Sequence, residues 1–486
     1  MVSTRHYFIL AILLLIVVLS KAQSNLFIYH TQGHVNSSNL NPAFLPSQEK
    51  FTFSIFPISG MGVGYNKQEV IQEMLSKFAK GTITDDDYNK IFDDLVKTGL
   101  FYQRMEISLL NLGYNAKIGA FNFRIKEAEQ LISNLKGNFS NFLSDPDYST
   151  VYTDRRQFFP AEIVHYREYS LGYGKQINGK LSAGIRAKLY FGKASLYSEA
   201  EGDALIKDGD YLLNTYGPVR LSVPLNFSQN ADSLLSGVVV ADNIDARDYL
   251  MNSKNPGIGM DLGFTYKINS KVVVSASVVD LGKIYWKSNL NTLILKGQYK
   301  FPEKYIYEKG DNYLSKTPDF STETEDVHGL FKIEKDGTAY SLSLPTTFYA
   351  GIKYQIKPTI NLGLVDRLIN YKGLKHNSVM LTSGFDASKK LNISLGYSII
   401  GDSYFNIPLG FLYKWNFGQA YLGTDNLVSF LAPGVSGFSS ISFGTVFYLF
   451  QDRVKYYEVD YLPFYKRKKH KPVNRNGLIF NANPKF

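Results

Sequence analysis

Residues 166–192 alternate apolar and polar positions with the two-residue period of a β-strand, on both sides of an Asn178-Gly179 pair that suits a hairpin turn. In the second run Leu181, Ala183, Ile185, Ala187, Leu189 and Phe191 fall on one face, and Ser182, Gly184, Arg186, Lys188, Tyr190 and Gly192 on the other. The same alternation recurs over residues 258–267, 348–354 and 391–399, where the polar faces are rich in Gly, Ser, Asn and charge. Short polar turns at residues 177–181, 268–272 and 385–391 join such runs, and each ends in a lysine followed by an apolar residue. Between the short turns lie long polar connections, chiefly residues 228–256 and 301–344.

Strands of this kind fit a soluble sandwich with the apolar face inward, or a membrane barrel with the apolar face outward. Alternation of short turns with long loops favours the barrel. The pattern predicts an all-β fold, a transmembrane antiparallel β-barrel of about 14 strands. Helical spacing is confined to an insertion at residues 66–99, whose second helix has Thr84 as N-cap and Gly99 at its end, and to a short helix around residues 127–143.

The register of the first hairpin gives a sharper expectation. A two-residue turn would pair Leu171 with Arg186 and mix the faces, whereas a three-residue loop, Asn178 to Lys180 with a bulge at Gly179, pairs Leu171 with Ala187 and Gly172 with Arg186. Glu168 then lies diagonally from Lys188, and a lumen-facing polar cluster of Glu168, Arg186 and Lys188 follows. A cation on the lipid face near the midplane costs roughly 2–4 kcal/mol, so this face belongs inside.

The ends of the chain set the compartment and the domain plan. Arg5 and His6 precede an apolar run from Phe8 to Leu19 and the small residues around Ala22, so residues 1–22 read as a signal peptide. Residues 23–48 form an N-terminal segment, a candidate lumen plug, in which Pro42 and Pro46 oppose regular structure. Residues 49–450 are assigned to the barrel, ending on the aromatic-rich strand 442–450, and residues 451–486 to a basic periplasmic tail. No later segment has the ~18 consecutive apolar residues of a membrane helix, so membrane crossing would be by strands.

Composition alters this picture only in places. The chain has no cysteine, which excludes disulfides and thiolate metal sites. Its 35 Tyr and 34 Phe suit strands and interfacial girdles. Of the net charge of +10, six belong to the tail and two to Arg5 and Lys21, which leaves the body near neutral and gives no footing for nucleic-acid binding. The tail cluster Lys466, Arg467, Lys468, Lys469 and Lys471 reads either as a solvated tail or as a dock for an acidic periplasmic partner or anionic headgroups.

Catalytic and cofactor signals are weak. Residues 60–65 are glycine-rich but lack the dinucleotide spacing, His30 and His34 have no helix to align them and read as surface residues, and no serine sits in a nucleophile elbow. The expectation is no enzyme, no cofactor and no metal.

Four pieces resemble an uncharacterised family of Bacteroidetes outer-membrane proteins, similar in architecture to long-chain fatty-acid transporters and to type IX secretion-associated barrels. They are Asn41-Pro42-Ala43, Tyr166-Arg167-Glu168-Tyr169, Gly184 to Lys188 with Phe191-Gly192, and Gly423-Thr424-Asp425-Asn426. The resemblance implies a barrel in the outer membrane, in contact with its lipid, whose N-terminal segment plugs the lumen; it implies no substrate. Two functions are then expected in order: binding or translocation of a hydrophobic or amphipathic small-molecule ligand, and, as the alternative, a non-conducting barrel that anchors or assembles an envelope or secretion complex.

Overall fold

The structure, a computed structural model, describes residues 26–31, 34–44, 50–67, 100–134, 152–157, 161–207, 210–229, 235–240, 246–301, 331–334 and 337–449. The signal peptide, residues 68–99 of the expected helical insertion and the tail with Lys466, Arg467, Lys468, Lys469 and Lys471 lie outside the described residues.

In chain order the elements are β1 (Phe51–Ile55), β2 (Met61–Asn66), β3 (Leu100–Ala116), β4 (Gly119–Asn134), β5 (Tyr152–Gln157), β6 (Ala161–Gln176), β7 (Leu181–Ser198) and β8 (Glu201–Lys207). Next come β9 (Asp210–Ser222), β10 (Leu225–Gln229), β11 (Leu235–Val240), helix α1 (Ala246–Met251), β12 (Pro256–Lys267) and β13 (Val272–Trp286). They are followed by β14 (Leu290–Phe301), β15 (Phe331–Glu334), β16 (Tyr340–Ser343), β17 (Thr346–Lys357), β18 (Ile360–Tyr371) and β19 (Leu374–Asp386). The last described elements are β20 (Leu391–Ile400), β21 (Ser403–Asn406), β22 (Leu409–Trp415), β23 (Gly418–Thr424), helix α2 (Val428–Leu431) and β24 (Phe438–Leu449).

Fourteen staves close into an antiparallel barrel. β1 and β2 make one interrupted stave, and β3, β4, β6, β7, β12, β13, β17, β18, β19, β20, β22, β23 and β24 follow in order, each antiparallel to its neighbour. Closure is made by β1, whose Phe53 pairs with Phe447 on one side and Leu112 on the other. Full closure removes the unpaired edges that would otherwise template aggregation.

One end of the barrel holds six short connections, β3–β4, β6–β7, β12–β13, β17–β18, β19–β20 and β22–β23, together with the start of β1 and the end of β24. The other end carries the longer connections, with one exception: β18 and β19 are joined by Lys372-Gly373, both at positive φ (46° and 84°), the geometry of a two-residue hairpin turn. At this end β5, β8, β9, β14 and β15 continue the sheet past the ring from the top of β7.

The first hairpin has the register of the three-residue loop: Leu171 pairs with Ala187 and Gly172 with Arg186. The turn is closed by the Asn178 side-chain oxygen, which accepts from the backbone N–H of Lys180 and Leu181 at 2.8 Å each. Gly179 is not among the residues at positive φ, so the expected glycine bulge is not used. A second expectation also fails. Residues 127–134 continue β4 as strand, because they are paired on both sides, to β3 and β6, and the pairing overrides the weak helical spacing.

Side-chain direction answers the choice posed by the alternation. Leu171, Ile185 and Leu189 are 60%, 45% and 55% exposed on the outside, while Glu168, Arg186 and Lys188 are 0%, 1% and 3% exposed within the barrel. A water-facing sandwich would show the reverse.

Candidate functional site

The N-terminal segment lies in the lumen. Leu26, Phe27, Ile28 and Tyr29 pack with Val279, Tyr349, Val365, Met380 and Leu412 of the inner wall in one apolar cluster. His30 and His34 are buried, not at the surface as their polar context suggests: His30 Nε2 lies 3.0 Å from the Leu364 carbonyl, and the His34 ring meets Tyr421 edge-on at 4.5 Å.

Glycines of the inner wall make room for this segment. An added Cβ would come within 2.3 Å of the Pro42 backbone at Gly184, 2.1 Å of Asn41 Oδ1 at Gly263, and 2.4 Å of the Phe27 ring at Gly410. These approaches explain why the polar face is glycine-rich. Polar anchors fix the seat. The Asp425 carboxylate accepts from the backbone N–H of Leu26 (3.1 Å) and Phe27 (2.9 Å), and Asn41 Nδ2 donates to the carbonyls of Phe264 (3.3 Å) and Ala276 (3.2 Å). Both satisfy groups that burial would otherwise leave costly.

Beside the plug, nine charged side chains from six consecutive staves form one network: Arg104 and Glu106 on β3, Arg124 and Lys126 on β4, Glu168 on β6, Arg186 and Lys188 on β7, Asp261 on β12 and Asp280 on β13. Lys188 Nζ stands 2.5 Å from Asp280, 2.6 Å from Asp261 and 3.7 Å from Glu168. Glu168 is held more closely by Arg124 (2.6 Å) and Lys126 (3.3 Å), and Arg186 turns to Asp261 (3.2 Å). Ions buried like these lose several kcal/mol of hydration each, so they persist only because every charge has counter-charges within contact.

Asp280 owes its place to a bulge. Met260 pairs with Leu281 but Leu262 with Val278, and Asp280 takes φ +60° at the extra residue. That left-handed conformation is costly for a non-glycine residue. It is held by the Asp280 N–H, which donates to Asp261 at 2.8 Å, and it re-aims the carboxylate into the network.

The structure thus gathers Glu168, Arg186 and Lys188, and adds six partners absent from the sequence reading. The missed signal was the (i, i+2) charge pairs Arg104/Glu106 and Arg124/Lys126 within otherwise alternating strands. The remaining motif residues divide by face. Tyr166 is buried inward, edge-on to Tyr190 at 5.4 Å; Gly192 admits the Trp286 ring, which an added Cβ would meet at 2.5 Å. Arg167 and Tyr169 point outward, the first to Glu127 and the second to the Phe191 ring at 5.7 Å.

Between plug and wall lies an open recess of about 90 Å³. It is lined by Ile28 and Leu40 of the plug and, on the wall, by the charged Arg104 and Lys126 and by Tyr102 and Ile369. Among the described residues no group of His, Asp or Glu is arranged to hold a metal ion.

The wall residues that seat the plug and build the network fall within the span matched by one family model, residues 42–425. The chain belongs to the family of unknown function DUF5723. No curated protein matches it. Among solved structures, the DUF5723 chain is similar to the CymD monoaromatic hydrocarbon channel, at 13% identity and TM-score 0.38, covering 86% of this chain and 93% of that one. It is similar to the P. putida toluene transporter TodX at 9% identity and TM-score 0.35, covering 85% and 93%. A KdgM porin matches at 7% identity and TM-score 0.24, covering 73% and 94%. The barrel itself rests on the ring of paired staves described above.

Proposed function

We propose that this DUF5723 protein is an outer-membrane barrel, closed to free ion flow by its N-terminal segment, that binds or passes a hydrophobic or amphipathic small molecule. An apolar exterior around a polar interior, with short turns at one end and longer connections at the other, supports the outer-membrane placement. The observation that carries the ligand reading is the recess between plug and wall, whose lining sets Tyr102, Val279 and Ile369 beside the charges of Arg104, Lys126 and Lys188, the two kinds of surface an amphipathic molecule needs. The test is native mass spectrometry of gently extracted protein together with conductance in planar bilayers. A bound small molecule with little steady current supports the reading; steady open-pore current without a ligand overturns it.

The filling of the lumen by plug, ion network and the apolar cluster of Tyr166, Tyr190, Ile284, Trp286 and Leu342 also favours a second reading, a non-conducting barrel that anchors an envelope complex. Stoichiometric protein partners with no bound small molecule would select it.

A further inference from the structure

At the six short turns the charge is almost all positive. Within the six short turns and two residues to either side of each stand nine lysines and a single acid, Asp386. Exposed lysines occur around the whole circumference: Lys117, Lys180, Lys271, Lys357 and Lys390 at successive turns, and Lys50 where the chain enters β1. The opposite end mixes signs, with Glu199, Glu201 and Asp248 near Arg220, Arg247 and Lys254. A strongly single-signed rim costs self-repulsion, so an arrangement confined to one end calls for an anionic counterpart.

The shape of the counterpart follows from what accompanies the lysines. Ile118, Ile177, Ile268, Ile356 and Phe417 lie at the same turns and are exposed, continuing the outer apolar surface of the staves to the rim. A lysine stem can lie along such a surface while its ammonium reaches outward. A protein docked against one side of the barrel would meet only some of these turns, whereas the surrounding leaflet meets all of them.

We infer that the short-turn rim is a lysine collar that binds the phosphates of anionic phospholipids in the leaflet on that side. The collar rests on the reading of the barrel as membrane-embedded. It selects anionic over zwitterionic lipid through the summed attraction of many weak contacts, and so it loses selectivity by degrees as lysines are removed, wherever on the rim they stand.

The test uses the full chain in vesicles of mixed phosphatidylglycerol and phosphatidylcholine, with spin-labelled versions of each lipid reporting which occupies the protein's boundary. The wild type should prefer phosphatidylglycerol. Lys117→Gln with Lys271→Gln should weaken the preference, and six substitutions to Gln at residues 50, 117, 180, 271, 357 and 390 should largely abolish it, against a ceiling of about fivefold per lysine. The same six changed to Arg should retain it, which separates charge from folding. Residues 466–471 are unchanged throughout, so the differences report the turns. Equal boundary occupancy in the wild type overturns the collar, as does a preference that survives all six Gln substitutions. A preference lost in one step on changing only Lys271 and Lys357, and unaffected by Lys50 and Lys117, would mark a single lipid site on one side and also overturns the collar. Failure of the wild type to insert into phosphatidylcholine vesicles, read as strands open to protease, would count against the membrane reading instead.

Discussion

Arg186 donates one hydrogen bond to the backbone carbonyl of Ser38 at 3.0 Å and another to Asp261 at 3.2 Å, so a single guanidinium ties the plug to the charged layer of the wall. Arg186→Met removes both links and strands a buried carboxylate. The expected cost is about 3–5 kcal/mol in urea unfolding, toward the lower end because Lys188 also faces Asp261 at 2.6 Å. The double variant with Asp261→Leu should cost less than the two single changes together, since the Arg186 and Asp261 charges then leave as a pair. Additive costs would show that the pair is not coupled.

The plug should leave its seat when the wall no longer accommodates it. Gly184→Val sets a branched side chain where even a Cβ comes within 2.3 Å of the Pro42 backbone. The barrel staves are paired independently of residue 42, so the expected outcome is a folded barrel with residues 34–44 newly open to protease. Unchanged protection would mean that the wall, not the plug, yields.

Asp425→Ala leaves the N–H groups of Leu26 and Phe27 buried without their carboxylate acceptor. Each unsatisfied donor costs about 1–3 kcal/mol. Hydrogen exchange at these two amides should rise while β-sheet amides elsewhere stay protected; Asp425→Asn, which keeps an acceptor oxygen, should recover part of the protection.

Deleting residues 26–44 empties the inner wall of its apolar cluster partner and exposes the ion network to water. Planar bilayers should then show steady current where the intact chain shows little. A deletion variant that inserts and remains silent would indicate that the upper aromatic layer around Trp286 closes the lumen unaided.

On the outside, Leu171→Arg tests what the apolar face meets. Leu171 is 60% exposed beside Ala187 in the middle of its hairpin. In lipid the change should cost roughly 2–4 kcal/mol of folding stability in vesicles; on a water-facing surface it would be close to neutral.

The short motifs by which the chain resembles its family turn out to be seats and anchors. Asn41-Pro42 sits against Gly184 and Gly263, Asp425 holds the plug backbone, and Glu168 lies inside the ion network. Sequence spacing gave no hint of the two plug contacts, whose partners lie far along the chain, whereas the place of Glu168 among charges followed from the register of the 166–192 hairpin.

The sequence by itself determined what depends on neighbours along the chain: the two-residue period, the two faces of the clearly alternating strands, the register of the 166–192 hairpin and the position of three of the six short turns. These follow from local backbone geometry and from the rule that a one-residue slip exchanges the two faces. Only the tertiary structure decided which charges meet. Lys188 and Asp280 are brought to 2.5 Å by a bulge that breaks the alternation and by ring closure, which sets staves β3 and β13 across the same lumen. It also decided that residues 26–31, too few and too irregular to declare an element, are buried. Burial of that segment comes from the cavity the closed ring encloses, and no window of the chain contains that cavity.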